Sequence, residues 1–143
     1  MIRIIAGGKK NQGWVLEAVS EYQKRMRKPF DFDWQFMTEE KLADFLADWP
    51  FTGRDFVIVC DERGKNISSR EYSELLSKAF LGSREVVILI GGAYGFSDSV
   101  REKADLLWSF SKLVFPHGLA RAIIAEQTYR ANQIAEGRPY HHE

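Results

Sequence analysis

Three short apolar runs, separated by longer segments with helical spacing, constrain the fold of this chain more than any other feature. The runs are IRIIAG at residues 2–7, DFVIVC at 55–60 and EVVILI at 85–90. Runs with so few polar positions are typical of strands buried on both faces of a parallel sheet. The sequence therefore predicts an α/β fold with a mainly parallel sheet and helices on both faces.

A further strand and five helices fit around these runs. FDFDWQF at 30–36 alternates aromatic and polar residues with a period of two, which indicates a strand with one buried face. A last short apolar stretch, KLVF, leads to Pro116. Capping and stop signals place the helices at 14–28, at 38 to about 49, from a Ser68/Glu71 capping box to Gly82, from a Ser99/Glu102 capping box through Leu107, and at 118–136.

Length and composition limit the class of protein. A chain of 143 residues can bury one substantial core, so we expect a single domain over 1–143. No stretch approaches the roughly 20 consecutive apolar residues of a membrane span, and MIRIIAGGKK lacks the features of a signal peptide, so we expect a cytoplasmic protein with no membrane partner. Twenty basic and twenty acidic residues give zero net charge, and any RNA binding must depend on a local patch.

In open α/β sheets the ligand crevice lies outside the carboxyl ends of the strands, which makes the loops after Cys60, Ile90 and Phe115 the candidate binding loops. GGAYGFS after Ile90 has three glycines in five positions, which suits either a bound ligand or a tight turn. The segment DERGKNIS after Cys60 is either a solvated turn or a contact to a phosphate or ribose. WSFSKLVFPHG offers backbone that could pair with a purine edge, and its His117 is a helix cap, a satisfied surface residue or a catalyst.

The last helix and the tail carry a second set of polar candidates. Glu126 and Arg130 have the i, i+4 spacing of a favourable ion pair, which by default is a surface pair worth about 0.3 to 0.5 kcal/mol. Tyr140 and His141, close to arginine, are a plausible RNA-contact set, although a polar tail is expected to fray. Three histidines and one cysteine, Cys60, do not predict a metal site, and Cys60 itself is interpreted as a small buried apolar residue.

Several blocks, taken together, resemble one family. They are LIGGAYG, LWSFSKLVFPHGLARAIIAEQTYRANQI and PYHHE, in that order, with IRIIAGGK and VCDERGK before them, so that the likeness covers nearly the whole chain. FPH, the E-x-x-YRA helix and a terminal PYH are seldom found in combination. The chain resembles the ribosomal RNA large-subunit methyltransferase H family of the SPOUT superfamily, which methylates N3 of a pseudouridine in bacterial 23S ribosomal RNA.

The resemblance implies a C-terminal trefoil knot, a homodimer, and S-adenosyl-L-methionine as the cofactor, bound in the knot. It implies an rRNA methyltransferase that acts on large-subunit ribosomal RNA in the assembled ribosome, with no metal. The cofactor contacts it implies are Cys60, Gly91, Gly92, Phe110, Ser111, Lys112, Leu113, Val114 and Phe115. The family usually has leucine where Cys60 stands, so one apolar contact is smaller here.

Because the acceptor nitrogen is an imide N–H that must lose its proton, we expect a cation and a proton acceptor near it. The hypothesis is that Arg121 and Arg130 stabilise the ionising base or its phosphate, that His117 or His141 accepts or relays the proton, and that Tyr140 stacks on the base. Two departures affect RNA contacts: His142 stands where the family often has arginine or lysine, and the stretch from 37 to 55 is short for the family.

Three alternatives remain at this stage. A related knotted methyltransferase acting on transfer RNA or another ribosomal base would keep the cofactor segment. A flavodoxin-like nucleotide-binding module without enzymatic activity would bind a flavin or nucleotide instead. A catalytically idle RNA-binding protein would lose the glycine loop, and the intact GGAYG disfavours it.

Overall fold

The computed structural model describes residues 1–142 and contains one five-stranded sheet. Its strands run in the spatial order β2-β1-β4-β3-β5, and every pairing is parallel. This confirms the predicted parallel α/β fold. The C-terminal trefoil knot stays a prediction. The strands are β1 (Ile2–Gly7), β2 (Phe32–Met37), β3 (Asp55–Lys65), β4 (Glu85–Ile90) and β5 (Leu106–Trp108).

Helices cover both faces of the sheet, as predicted, because alternate strand residues enter two separate cores. Ile4, Ile58 and Ile88 belong to the core under α1, α3 and α5, whereas Val59 and Leu89 belong to the core under α2 and α4. Within residues 1–142, no helix combines the length and the apolarity needed to cross a bilayer. The helices are α1 (Gly13–Gln23), α2 (Glu39–Ala47), α3 (Ser69–Leu81), α4 (Asp98–Lys103) and α5 (His117–Ala135).

Two of the predicted helix caps are confirmed, and one helix end is wrong. Thr38 accepts a hydrogen bond from the Lys41 backbone N–H and caps α2, and Ser68 forms the predicted capping box of α3. α1, however, ends at Gln23 rather than at residue 28. The basic run that follows is exposed turn, and Gln23 itself donates to the Phe32 carbonyl at 2.9 Å, which ties the helix end to β2.

The fourth predicted helix is wrong at both ends. Its cap is Ser97, which accepts from the Val100 N–H at 3.3 Å, and not Ser99 with Glu102. The helix stops at Lys103, because Asp105 is bound to the sheet: its N–H donates to the Val57 carbonyl and its carboxylate accepts from the Val57 N–H. Leu106 and Leu107, predicted as the end of the helix, therefore form β5 with Trp108 beside β3.

The strand predicted to end at Cys60 is longer than expected. β3 continues to Lys65, so most of the predicted turn is strand, with an irregularity where both Cys60 and Lys65 align with Trp108. Gly64 makes this close approach possible, because a Cβ there would lie 2.5 Å from the Leu107 carbonyl carbon and 2.7 Å from the Trp108 nitrogen. At Gly64, β3 and β5 are thus in direct contact through backbone atoms.

Candidate active site

The carboxyl ends of β3, β4 and β5 surround a cavity of about 520 Å³, here called cavity A. Its walls come from the end of β3, the glycine loop after β4, the segment after β5 and the start of α5. Of the nine predicted cofactor residues, all except the exposed Lys112 line it. The lining residues are Cys60, Asp61, Glu62, Arg63, Ile90, Gly91, Gly92, Ala93, Tyr94, Gly95, Trp108, Ser109, Phe110, Ser111, Leu113, Val114, Phe115, His117 and Ala120.

The segment after β5 is irregular but held by specific hydrogen bonds. The Ser109 N–H donates to the Lys65 carbonyl at 2.9 Å, and the Asn66 side chain donates to the Ser109 carbonyl at 2.8 Å. Farther on, the Ser109 hydroxyl donates to the Ser111 carbonyl, and the Ser111 hydroxyl accepts from the Leu113 N–H at 3.0 Å. The apolar stretch KLVF is therefore a shaped loop, and its two central side chains are exposed at the cavity.

An aromatic stack supports the floor of cavity A. Trp108 stacks on Tyr72 with ring centroids 4.3 Å apart, and Phe110 meets Trp108 edge to face at 4.7 Å. The buried Tyr72 hydroxyl is paired with the Thr128 hydroxyl at 2.9 Å, so the stack is anchored to α5. The aromatic stack therefore connects cavity A to α3, which carries Tyr72, and to α5, which carries Thr128.

The glycine loop is tight as well as cavity-lining. A Cβ on Gly91 would lie 3.2 Å from the Gly95 Cα and from the Phe96 ring, and a Cβ on Gly92 would overlap the Glu39 carboxylate. Gly95 has a positive φ of 67°, which suits glycine. The two interpretations of GGAYG, a tight turn and a ligand-binding loop, are therefore compatible in this structure.

Cys60 is half-buried rather than fully buried, and it lines cavity A. Removal from water and the nearby Asp61 charge both raise the pKa of its thiol, since each disfavours the thiolate. A raised pKa leaves less thiolate at a given pH, so we expect iodoacetamide to alkylate Cys60 at pH 8 at least about ten times more slowly than free cysteine. Mass spectrometry measures the rate.

The control for this alkylation experiment is the same protein in denaturing urea, where Cys60 should react at the ordinary rate. Alkylation of the folded protein as fast as free cysteine would contradict the burial described for this thiol.

Charged residues of the loop after Cys60 are paired with one another. Asp61 lies 3.6 Å from the Arg63 guanidinium and 3.5 Å from that of Arg101, and Arg101 also pairs with Asp98. The Asp61 side chain is only 5% exposed. In the wall of cavity A, the charges of Asp61 and Arg63 are therefore balanced by ion pairs.

A second cavity of about 630 Å³, here called cavity B, adjoins the first. Gly92, Ala93 and His117 line both. The loop after β1 forms much of its remaining wall, together with the first turns of α1, α2 and α5. The full lining is Gly7, Gly8, Lys9, Lys10, Asn11, Gln12, Val15, Thr38, Glu39, Gly92, Ala93, His117, Gly118 and Arg121.

Arg121 is a buried cation in the wall of cavity B. Its guanidinium donates to the Lys9 carbonyl at 2.7 Å, to Asn11 Oδ1 at 3.1 Å and to the Gly7 carbonyl at 3.1 Å, and it lies over the Phe36 ring. Only 6% of the residue is exposed, and burial lowers its pKa. Within residues 1–142 no ion pair joins it to a carboxylate, so its charge is not neutralised locally.

Tyr140 and His141 of the C-terminal tail, which was expected to fray, pack against α5. Arg130 forms the predicted ion pair with Glu126 at 2.6 Å, lies over the Tyr140 ring at 4.8 Å and donates to Nδ1 of His141 at 3.0 Å. Tyr140 also meets Tyr129 edge to face at 4.9 Å. Burial, followed by the Glu126 charge, raises the pKa of Tyr140 to about 12, so its phenol is protonated and donates to Glu126.

Comparison with known proteins assigns the chain to a family. The family described as "Predicted SPOUT methyltransferase" matches residues 1–141. The chain belongs to this family. This SPOUT methyltransferase is 40% identical over 154 aligned residues to Ribosomal RNA large subunit methyltransferase H of Caldicellulosiruptor bescii, and 33% identical over 153 to the protein of the same name from Methylobacillus flagellatus, with 99% of each chain covered in both cases. These relatives confirm the resemblance to the methyltransferase H family.

A solved structure supports the fold of this SPOUT methyltransferase. A probable methylase family protein from Haemophilus influenzae Rd KW20 superimposes with a TM-score of 0.56 at 13% identity, covering 99% of this chain and 70% of the other. Both alignments with the curated relatives exceed the 143 residues of this chain, which agrees with the predicted shortening. The site of that shortening, at 37–55, stays a prediction.

The structure divides the predicted catalytic residues of this SPOUT methyltransferase into two groups. His117 and Arg121 lie at cavity B, and His117 also at cavity A. Arg130, Tyr140 and His141 form the tail cluster. Arg130 lies nine residues after Arg121 on α5, which is roughly 13 Å along the helix axis. Within one chain the two groups are therefore apart.

Sequence reasoning missed the loop after β1 and Glu39 as parts of the site. The signal was present in the pair Gly7 and Gly8, which ends the first apolar run. It could not be used without the order of the strands, which places the end of β1 beside that of β4. The residues described, 1–142, contain no group of three or more metal-ligating side chains, so no metal centre is found there.

Proposed function

We propose that this SPOUT methyltransferase transfers a methyl group from S-adenosylmethionine to N3 of a pseudouridine in bacterial large-subunit ribosomal RNA, on the assembled ribosome. The observation that carries the proposal is cavity A, where eight predicted cofactor residues come together at the carboxyl ends of the strands. The names of the curated relatives support the RNA class. The zero net charge fits recognition of an assembled ribosomal surface better than a tight grip on naked RNA.

The residues of cavity A fit an adenosine-type cofactor with a sulfonium group. A cavity of about 520 Å³ is in the size range of small-molecule sites. Leu113 and Val114 are 68% and 79% exposed there, which leaves apolar surface for a ligand to cover. The hydrogen bonds of Ser109 and Ser111 fix the backbone whose polar groups would pair with a purine edge. When bound, the cofactor supplies an activated methyl group.

The chain's own residues would orient the base and remove its proton. Arg121, a cation without a carboxylate partner within residues 1–142, would stabilise either the ionised imide or the phosphate next to it. We assign the proton acceptor to His117, because this exposed side chain lines both cavities. Arginine can only donate, so His141 accepts from Arg130 through an unprotonated Nδ1, and that nitrogen is already engaged. Positioning and exclusion of water would supply the remaining catalysis.

We further propose that the enzyme is a homodimer in which the tail of one protomer completes the site of the other. The separation of the tail cluster from His117 and Arg121 supports this arrangement. Apolar side chains on α1 and α5 also support it, since Trp14 is 59% exposed, Leu16 49% and Leu119 36%. In this arrangement Tyr140 stacks on the target base, and Arg130 contacts the RNA.

The direct test supplies purified protein and labelled S-adenosylmethionine to whole ribosomes, isolated large subunits, naked large-subunit RNA and transfer RNA. We expect label in ribosomes, and mass spectrometry of large-subunit RNA from cells lacking the protein should show loss of one methyl on a pseudouridine. Label in transfer RNA instead would support the related knotted enzyme. Calorimetry that detects a flavin but not S-adenosylhomocysteine would contradict the proposal altogether.

A further inference from the structure

Arg121 retains hydrogen-bond donors that the protein does not use. A guanidinium has five N–H donors, and three are engaged by Gly7, Lys9 and Asn11. The buried Nε has no partner within residues 1–142. A buried donor without an acceptor costs free energy, as does a buried cation without an anion. The wall of cavity B therefore holds a positive group that an anionic ligand would satisfy.

Two helix N-termini meet at the same wall and add to its positive potential. In the part of the chain that the structure describes, neither Gln12 at the start of α1 nor Pro116 at the start of α5 provides a side-chain cap, so the first-turn N–H groups of both helices have no capping acceptor there. The two turns are in contact, because a Cβ on Gly118 would lie 2.7 Å from Val15 Cγ2. Helix N-termini with free N–H groups favour anions.

Exposed lysines extend this positive surface to solvent. Lys9 and Lys10 follow the β1 strand, line cavity B and are exposed. Gly8 has a φ of 113°, which allows a turn that suits glycine. The turn brings the loop close to Arg121, because a Cβ added at Gly8 would lie 3.5 Å from Arg121 Nη2. The two lysines at the rim of cavity B thus lie on the loop after β1, and Arg121 in its wall lies on α5.

We propose that cavity B binds a phosphate group of the acceptor RNA strand, next to the nucleotide whose base is methylated. The phosphate would accept from Arg121 and from the first turns of α1 and α5. The wall formed by Gly92, Ala93 and His117 would then set the base between cavity B and cavity A. This inference rests on the proposed function for the identity of the RNA, while the anion site itself does not.

Glu39 gives the site a feature that can be tested. Among the described residues that line cavity B, it alone is acidic, and it packs against Gly92. Its carboxylate opposes an anion in the cavity, so replacing it with the neutral isostere should strengthen phosphate binding. A site that binds a cation or a neutral group predicts the opposite result or no change.

The first experiment follows the Arg121 Nε–H resonance by NMR during separate titrations with uridine, inorganic phosphate, uridine 5′-monophosphate and a short single-stranded RNA. We expect a saturable shift with all three phosphate-bearing probes and none with uridine. A larger response to RNA than to inorganic phosphate identifies the strand as the ligand, whereas equal affinity points to free phosphate. An unchanged resonance with every probe overturns the proposal.

The second experiment compares variants by their dissociation constants for the same RNA. Lys9→Gln with Lys10→Gln should weaken binding about three- to tenfold and flatten the dependence of log K on log salt by about 0.7 per lost contact. Glu39→Gln should tighten binding about two- to fivefold. Lys78→Gln and Glu40→Gln are the matched controls, because both residues are exposed and outside the two cavities. Equal effects of the controls and the site variants would refute the assignment.

Calorimetry with S-adenosylhomocysteine separates this inference from the proposed function. Intact binding of that compound with no response of Arg121 to phosphate refutes the anion site and leaves the methyltransferase assignment in place. A phosphate response without binding of S-adenosylhomocysteine supports the anion site and contradicts the proposed methyltransferase function.

Discussion

Gly64→Ala is expected to lower the free energy of unfolding by about 3 kcal/mol or more, because the new methyl group meets backbone and not a movable side chain. At this position β3 crosses the backbone of Leu107 and Trp108. Relief requires β5 to separate from β3, which also removes the Ser109 to Lys65 hydrogen bond at the start of the cavity A segment. Urea denaturation measures the change in stability.

Gly53→Ala is the control for this substitution, since within residues 1–142 no heavy atom beyond Gly53 and its two chain neighbours lies within 4 Å of a Cβ at Gly53. It should change the stability by less than about 0.5 kcal/mol. We expect Gly64→Ala to weaken S-adenosylhomocysteine binding as well, at temperatures where the variant is still folded. Wild-type stability in Gly64→Ala would show that the β3–β5 crossing is looser than described.

Deletion of residues 139–143 is expected to reduce methylation about 100-fold or more while S-adenosylhomocysteine still binds, because the proposed role of the tail is on the RNA side of the site and no residue of 139–142 lines cavity A. Leu113→Arg should be inactive for a different reason. Leu113 is exposed at cavity A, so an arginine there would fill the cavity and repel the proposed sulfonium cofactor without disturbing the core.

Mixing the two inactive proteins tests whether the tail acts across a dimer. Random exchange of subunits makes mixed dimers in which one site has both an intact cavity A and an intact tail, so activity should return to roughly a quarter of the wild-type value. The matched control mixes the deletion variant with a variant that carries both changes, which leaves no complete site. Failure of the first mixture to regain activity, with subunit exchange demonstrated, would mean that the tail acts within its own chain.

The apolar runs predicted β1, β3 and β4 because burial on both faces leaves a strong local pattern. β5 has only three residues, too few to show a period, and its neighbours look helical. It is a strand because Asp105 is bound to Val57 and because Trp108 completes an aromatic stack with Tyr72. Such long-range contacts override local propensity and leave no mark in a short window.

The site shows the same division between local and long-range information. The glycine loop and the segment from Phe110 to Phe115 were predictable from their own residues and from the resemblance. The role of the loop after β1 was not, because its contact with Arg121 joins positions more than 100 apart in the chain, and strand order alone determines it. The separation of Arg130 from Arg121, in contrast, follows from the predicted last helix itself, since nine residues span roughly 13 Å along its axis.

The wall common to cavities A and B implies energetic coupling between their occupants. On the proposed assignment, a sulfonium in one cavity attracts a phosphate in the other, and by reciprocity each ligand raises the affinity of the other by the same factor. Methyl transfer converts the sulfonium to a neutral thioether and leaves the proton of the base on His117, so the attraction ends when that proton passes to solvent. Turnover itself would then loosen the enzyme's hold on modified RNA, without a separate conformational signal for product departure.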